Sequence, residues 1–290
     1  MKCENCPRMC GVDRAKKLGF CGLGSEIKIA LANIHYGEEP CISGKNGSGT
    51  IFFSGCNLKC VFCQNYNLSH ENFGEKISVE RLAEIFKELE QKGVNNINLV
   101  TPTPYVDKII KALEIYKPQI PICYNTSGYE TVEVIKKLKD YVDIFLTDLK
   151  YYDKNLSKKY SLAEDYFDFA SKAILQMVKN QPQNIFDNNG IMKKGVIIRH
   201  LVLPSCHEDS FKVLDWIKQN VPNSLLSIMS QYTPCNDLSD CQEINKKINK
   251  IEYKLVVNHA LELGLEGYMQ GFESATKSQI PNFNLDGVKK

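Results

Sequence analysis

Long apolar stretches are missing from this sequence of 290 residues. With no run of about 18 apolar residues, no membrane-spanning helix is expected. The first residues, Met1-Lys2-Cys3-Glu4-Asn5-Cys6, lack the apolar core of a secretory signal, so export is not expected either. Neither sign of charge dominates. Lys and Arg number 36 against 34 Asp and Glu, a net charge of +2, which leaves no global field to recruit nucleic acid or an anionic membrane. Stretches that interleave basic and aromatic side chains, as single-strand binders use, are missing as well. Arginine is scarce: Arg8, Arg14, Arg81 and Arg199 stand among 36 basic residues, so Lys is the default cation and an Arg can mark a place for a planar two-pronged donor; Arg81, on the polar side of a helix, reads as solvated, and Arg8 and Arg14 flank leader cysteines. What is present is enough apolar sequence for a packed domain, 43% hydrophobic against 24% charged.

The excess lies in cysteine, with 12 in the chain. In a sequence without an export signal this points to metal or catalysis in a reducing cytoplasm rather than to disulfides. Two tight groups stand out. The first, Cys3-x2-Cys6-x3-Cys10-x10-Cys21, lies in polar sequence too poor in core residues to fold without a staple. Four thiolates at these intervals can surround a zinc ion or ligate an iron–sulfur cluster, and the spacing does not choose. The second, Cys56-x3-Cys60-x2-Cys63, follows a short strand from Gly49 to Phe53 and a glycine, Gly55. Three thiolates hold three corners of a 4Fe–4S cube and leave one iron open to chelation, whereas a zinc bound by these three alone would lack a ligand. Cys41, Cys123, Cys235 and Cys241 read as ordinary thiols. Cys206, next to His207 and just past Pro204 at a strand end, is a candidate catalytic donor.

Downstream, apolar strands and amphipathic helices alternate. Ser78 caps a helix that turns Val79, Leu82, Ile85, Phe86 and Leu89 to one side and closes at Gly93. The strand Asn96–Thr101 follows, then a helix with Thr103 as cap and Pro104 as first residue, ended by Pro118. Strands Ile120–Tyr124, Val142–Leu146, Gly195–Leu203 and Leu225–Ser230 alternate with helices near Val132–Leu138, Asp165–Asn180, Ser210–Gln219 and Lys246–Leu263, with an irregular insertion at Gln181–Gly190. Six strands, each followed by helix, call for a parallel sheet with right-handed crossovers. In such folds chemistry collects at the C-terminal strand ends. Here those ends hold the second cysteine group, Thr101 and Thr103, Asn125 and Ser127, Asp148 and Lys150, Arg199 or His200, and Gln231. Asp148 and Lys150 share strand parity and point to one side. Arg199 lies in an otherwise apolar strand, where an unpaired charge is costly, and is the expected anion contact.

The run from Cys56 to Cys63, with Phe62 before the last cysteine, resembles the signature of the radical S-adenosylmethionine (SAM) superfamily. The approach from Gly47-Ser48-Gly49 to Gly55 and the leader's Cys6-Pro7-Arg8-Met9-Cys10 are similar, more narrowly, to a branch of the pyruvate formate-lyase activating-enzyme group. Asn125-Thr126-Ser127-Gly128, Asp148-Leu149-Lys150 and Arg199-His200-Leu201 agree with it, and Gly271-Phe272-Glu273-Ser274-Ala275 resembles the branch's tail. Pattern and resemblance together give an α/β fold: a partial (β/α)6 TIM-like barrel with a small Cys-rich metal-binding N-terminal extension. Residues 1–45 are expected as the leader, 46–235 as the barrel and 236–290 as a helical extension covering it.

The resemblance further implies a 4Fe–4S cluster on Cys56, Cys60 and Cys63, with SAM chelated to its open iron and cleaved reductively to methionine and a 5′-deoxyadenosyl radical that abstracts hydrogen. Phe62 is expected near the adenine. Thr101, Thr103, Asn125, Ser127, Asp148, Lys150 and Arg199 are candidate cofactor contacts, and Lys150 and Cys206 candidate catalytic residues. Zinc or a second iron–sulfur cluster is expected on Cys3, Cys6, Cys10 and Cys21. The implied partners are an electron donor such as flavodoxin or ferredoxin and a glycyl-radical enzyme, another peptide or a small molecule as substrate. A non-enzymatic, metal-stabilised binding module is the alternative. Three departures bear on substrate: Thr101-Pro102-Thr103 replaces a Gly-Gly-Glu type motif, Asn125 replaces an Asp, and Thr50-Ile51-Phe52 lacks the Arg of activating enzymes. An open iron also implies an oxygen-poor cytoplasm.

Overall fold

The apolar runs that alternate with amphipathic stretches become the strands of one sheet. The computed structural model describes residues 2–272 and 281–289. Its strands are β1 (Ile27–His35), β2 (Ser48–Phe53), β3 (Glu75–Ile77), β4 (Ile97–Val100), β5 (Ile122–Thr126), β6 (Ile144–Asp148), β7 (Ile185–Phe186), β8 (Met192–Leu201), β9 (Leu225–Met229) and β10 (Gly267–Met269). Along the sheet the order is β10-β9-β8-β6-β5-β4-β2-β1-β3, and the two end strands do not pair, so the barrel is partial. From β2 to β10 every neighbour is parallel; β1 runs antiparallel to β2, and β3 antiparallel to β1. Helices Val79–Gln91, Val106–Ile115, Val132–Lys137, Tyr166–Asn180, His207–Asn220 and Lys250–Glu262 follow β3, β4, β5, β6, β8 and β9 in the chain. The six expected βα units are therefore present, and β10 adds a further parallel strand.

Local chemistry explains both the agreements and the differences. Ser78 Oγ accepts from Arg81 N (3.1 Å), and Leu82, Ile85, Phe86 and Leu89 of that helix are buried. Each such side chain removed from water contributes about 1.5–3 kcal/mol. Thr103 does not cap its helix: its hydroxyl donates to Glu130 Oε1 (2.6 Å), and Thr103–Tyr105 form a 3-10 turn ahead of Val106–Ile115. Strand β5 runs through Thr126 because Asn125 and Thr126 pair with Leu146 and Thr147 of β6. Within the insertion at Gln181–Gly190, Ile185 and Phe186 fold back on β8 as a hairpin. A helix not expected from sequence, Lys154–Ser161, is capped by Asp153, which accepts from Asn155 N and Leu156 N.

Residues 27–35, counted with the leader, belong to the sheet because Ile27, Ile29 and, past an irregularity between Ile29 and Leu31, Ala32 are drawn into the core. The residues from 236 onward include a helix but also β10, and Leu285–Asp286 run alongside β1, with Ala32 N donating to Asp286 O (2.9 Å). Glu273, Ser274 and Ala275 of the tail motif lie outside the described residues.

Candidate active site

Strand ends and two loops enclose a cavity of about 450 Å3. Val100 and Thr101 face it from β4, Asn125, Thr126 and Ser127 from β5, Asp148 and Lys150 from β6, Arg199 and Leu201 from β8, and Gln231 and Gln270 from beyond β9 and β10. The loop after β2 adds Cys56, Leu58, Cys60, Phe62 and Cys63. A second loop enters from the other end. Because β1 is antiparallel to β2, with His35 level with Ser48, the chain leaves β1 where the parallel strands begin, and Glu38 and Glu39 then reach into the same cavity.

The cysteine loop is held from several sides. Gly55 turns it with a φ of 76°, Asn57 Nδ2 donates to Tyr129 O (2.6 Å), and Val61 N donates to Tyr160 O (2.9 Å). Asn236 Nδ2 donates to the carbonyls of Val61 (3.0 Å) and Cys63 (2.9 Å), and Ser161 Oγ donates to Cys60 Sγ (3.0 Å). Burial, then the nearby Cys60 and Cys63, push the Cys56 thiol up to about 12. Burial pushes Cys60 up to about 11 against the pull of Lys150, and raises Cys63 as well. Thiols raised chiefly by burial along one wall ionise together most readily when a cation joins them.

Opposite the thiols lie two buried ionic groups. Lys150 Nζ pairs with Asp148 Oδ2; burial opposes the ammonium, but Asp148 and Cys60 together hold its pKa above the ordinary value. Arg199 is already engaged. Its Nε donates to Glu39 Oε1 (2.8 Å) and one amino group to Glu39 Oε2 (2.6 Å), and that amino group also pairs with Glu38. The expected anion contact thus has its fork closed on a carboxylate of the chain itself, and Glu38 Oε1 takes Asn98 Nδ2 (2.9 Å). Sequence reasoning found the Arg and its need for a two-pronged acceptor, but missed the partners, adjacent acids in an unremarked loop.

Two candidates are not among the residues lining this cavity. Thr103 is buried against Glu130, whose Oε1 also accepts from Tyr124 (3.2 Å) and Thr126 (2.6 Å). Cys206 is half-buried at the start of the helix His207–Asn220, where burial and then Asp209 push its thiol up to about 12, the opposite of an activated thiol. His200 sits on the other face of β8 from Arg199: Nδ1 donates to Leu149 O (2.8 Å) and Nε2 accepts from Ser210 Oγ (2.9 Å). Thr101 lines the cavity with a φ of 60°, a costly conformation for a β-branched residue.

A model of the radical SAM superfamily matches residues 50–193. Over 272 residues the chain is 33% identical to an uncharacterized protein of Methanocaldococcus jannaschii, covering 90% of this chain and 73% of that relative. The chain belongs to the radical SAM superfamily. A shorter match, 27% identical over 115 residues, covers 38% of this radical SAM chain and 43% of a Haemophilus influenzae protein provisionally named a glycyl-radical enzyme activating enzyme. Streptococcus suis SuiB bound to precursor peptide SuiA superposes with a TM-score of 0.49 at 17% identity, over 74% of this chain and 46% of SuiB, so the chain spans less than half of that protein. A domain of pyruvate-formate lyase-activating enzyme from Bacteroides vulgatus superposes with a TM-score of 0.40 at 10% identity, over 67% of this chain and 91% of that domain.

Membership of the radical SAM superfamily implies a 4Fe–4S cluster and SAM. The donor set fits: Cys56, Cys60 and Cys63 line one cavity, Cys60 buried and the other two half-buried at its wall, with Lys150 acting on each. Among the described residues no three or more His, Cys, Asp and Glu side chains close to the spacing of a single ion. A cube distributes its thiolates over separate irons, so single-ion spacing is not what these three require.

Proposed function

We propose that this chain is a radical SAM enzyme that holds a 4Fe–4S cluster on Cys56, Cys60 and Cys63, cleaves SAM reductively and removes a hydrogen atom from a substrate. The observation that carries this reading is the convergence of three cysteine side chains on the cavity lined by the C-terminal ends of the parallel strands. When bound, the cluster and SAM supply the one-electron cleavage of the sulfonium to methionine and a 5′-deoxyadenosyl radical. The chain's own residues do the rest. Phe62, packed edge-on against Tyr232 at 5.9 Å, gives the adenine an apolar wall. Lys150, held charged by Asp148, offers a cation to the SAM carboxylate. Asn125, Ser127 and the backbone opened by Thr101 supply the polar contacts that orient the amino and ribose groups. The enclosing strands exclude water and fix the substrate C–H against the reactive carbon.

A reducing protein of the flavodoxin or ferredoxin kind supplies the electron. As to substrate, the provisional name of the Haemophilus influenzae relative supports activation of a glycyl-radical enzyme. Anaerobic reconstitution with iron and sulfide, followed by reduction with SAM present, yields 5′-deoxyadenosine from the wild type and none from Cys60→Ser. A wild-type protein loaded with about four irons that forms no 5′-deoxyadenosine would sink the proposal.

A further inference from the structure

The four leader cysteines are brought together although they make no secondary structure of their own. Cys3 N donates to Val12 O (2.9 Å), Gly11 N to Cys3 O (3.1 Å), and Met9 N closes a turn on Cys6 O (3.0 Å). Gly19 lies between Cys10 and Cys21, where a Cβ would stand 3.5 Å from both sulfurs. The Cys3 side chain is within hydrogen-bond reach of Cys10, and Cys6 and Cys21 lie near enough to Cys3 for their thiols to interact with it.

Two buried polar side chains flank this group with atoms left unbonded. Arg14, which acts on Cys21, gives one amino group to Pro104 O (2.5 Å), while its Nε and second amino group are buried without partners. Glu130, wholly buried, acts on Cys6; its Oε1 takes three hydroxyls, and its Oε2 is buried without a partner. Leaving a buried polar group unsatisfied is costly, so a site that keeps two such groups beside its thiols is built for something polar to arrive.

We propose that Cys3, Cys6, Cys10 and Cys21 form a second metal centre, a four-thiolate site for a thiophilic metal, fastened to the catalytic cysteine loop by Arg8. Soft thiolates select zinc or iron–sulfur clusters, and a four-thiolate centre is an anion whose charge the free donors of Arg14 meet. The four side chains do not stand at the spacing of a single ion, so a bound metal would have to turn them about χ1 to meet it. Arg8 then ties it to the barrel. Its Nε donates to the carbonyl of Asn57 (2.8 Å), the residue after Cys56, and its amino groups donate to Ser161 O (3.3 Å) and Leu162 O (2.5 Å). The guanidinium also stacks on Phe20 of the leader (4.0 Å) and Tyr129 of the barrel (5.2 Å). From the other side, a Cβ on Gly55 would meet Cys21 O at 2.9 Å, so leader and loop are in backbone contact. The metal fixes a segment too poor in apolar contacts to hold itself, and the segment in turn braces the loop.

The site rests on the proposed function only for the role of the loop it braces, and the test separates the two. The full chain carrying Cys56→Ser, Cys60→Ser and Cys63→Ser is purified and reconstituted anaerobically, and its zinc, iron and acid-labile sulfide are measured. About one zinc, or about four irons with matching sulfide, retained per chain supports the centre and says which metal fills it. That metal must then be lost when Cys10→Ser and Cys21→Ser are added, with the far-ultraviolet circular dichroism of the barrel unchanged. No metal above background in the first variant, or metal that survives the added substitutions, overturns the proposal. A wild type that forms no 5′-deoxyadenosine while the first variant keeps its metal would count against the catalytic reading alone.

Discussion

At the residue scale, the cavity is a place where charge is kept dry by pairing. Replacing Lys150 by Met strands the Asp148 carboxylate, whose side chain is 18% exposed, and should cost about 3 kcal/mol in chemical denaturation. Adding Asp148→Asn should recover a large part of that loss; additive losses would show that the two do not act as a pair. Thr101 is held in the left-handed region against its own branching, so Thr101→Gly should stabilise the fold by up to about 1 kcal/mol, net of the freedom glycine gains in the unfolded chain. A loss of stability instead would mean that the threonine side chain is needed in place. His200 sets a pH dependence. Burial lowers it to about 4 from the usual 6.5, so the unfolded chain takes up its proton first as acid is added. Stability from this residue is complete above pH 6.5 and falls as pH drops toward 4, by at most about 3 kcal/mol. Urea midpoints measured across that window should flatten in His200→Gln.

At the scale of elements, the catalytic loop depends on a helix that the hydrophobic pattern did not announce. Lys154–Ser161 gives the loop a carbonyl from Tyr160 and a hydroxyl from Ser161, and its last carbonyls receive Arg8. A hydrogen bond to a ligating sulfur stabilises the extra electron of a reduced cluster, so Ser161→Ala should lower the midpoint potential of the catalytic cluster while leaving iron content unchanged. An EPR-monitored redox titration reads this, and an unmoved potential would remove Ser161 from that role. Gly55 is the other pivot. With a φ of 76° and room for no Cβ, since one would meet Leu23 Cδ1 at 2.4 Å, Gly55→Ala should push leader and loop apart and reduce the metal bound by each. Strand β1 escaped the sequence reading for a related reason: its alternation is weak, and its place in the sheet is settled by β2 and β3 on either side.

At the scale of the whole molecule, the cavity of the open sheet is lined by the cysteine loop and by Glu38 and Glu39, which arrive from opposite ends of the strands. Six of the helices and the parallel strands from β2 to β9 were legible because their signals are local: periods of two and 3.6 residues, a cap at Ser78, and a glycine after a strand. Cys56, Cys60 and Cys63 stand out in sequence because a cluster on a short loop would require its ligands close together, and the loop brings all three to one cavity. Those features the sequence determined by itself. Tertiary structure alone decided what those local pieces meet. Arg199 finds Glu39 across 160 positions, and Arg8 finds Leu162 across 154. Thr103, a helix cap by pattern, is instead spent on Glu130, which the fold buries beside Cys6. No spacing rule reaches that far, because such pairings follow from how a twisted parallel sheet stacks its strand ends.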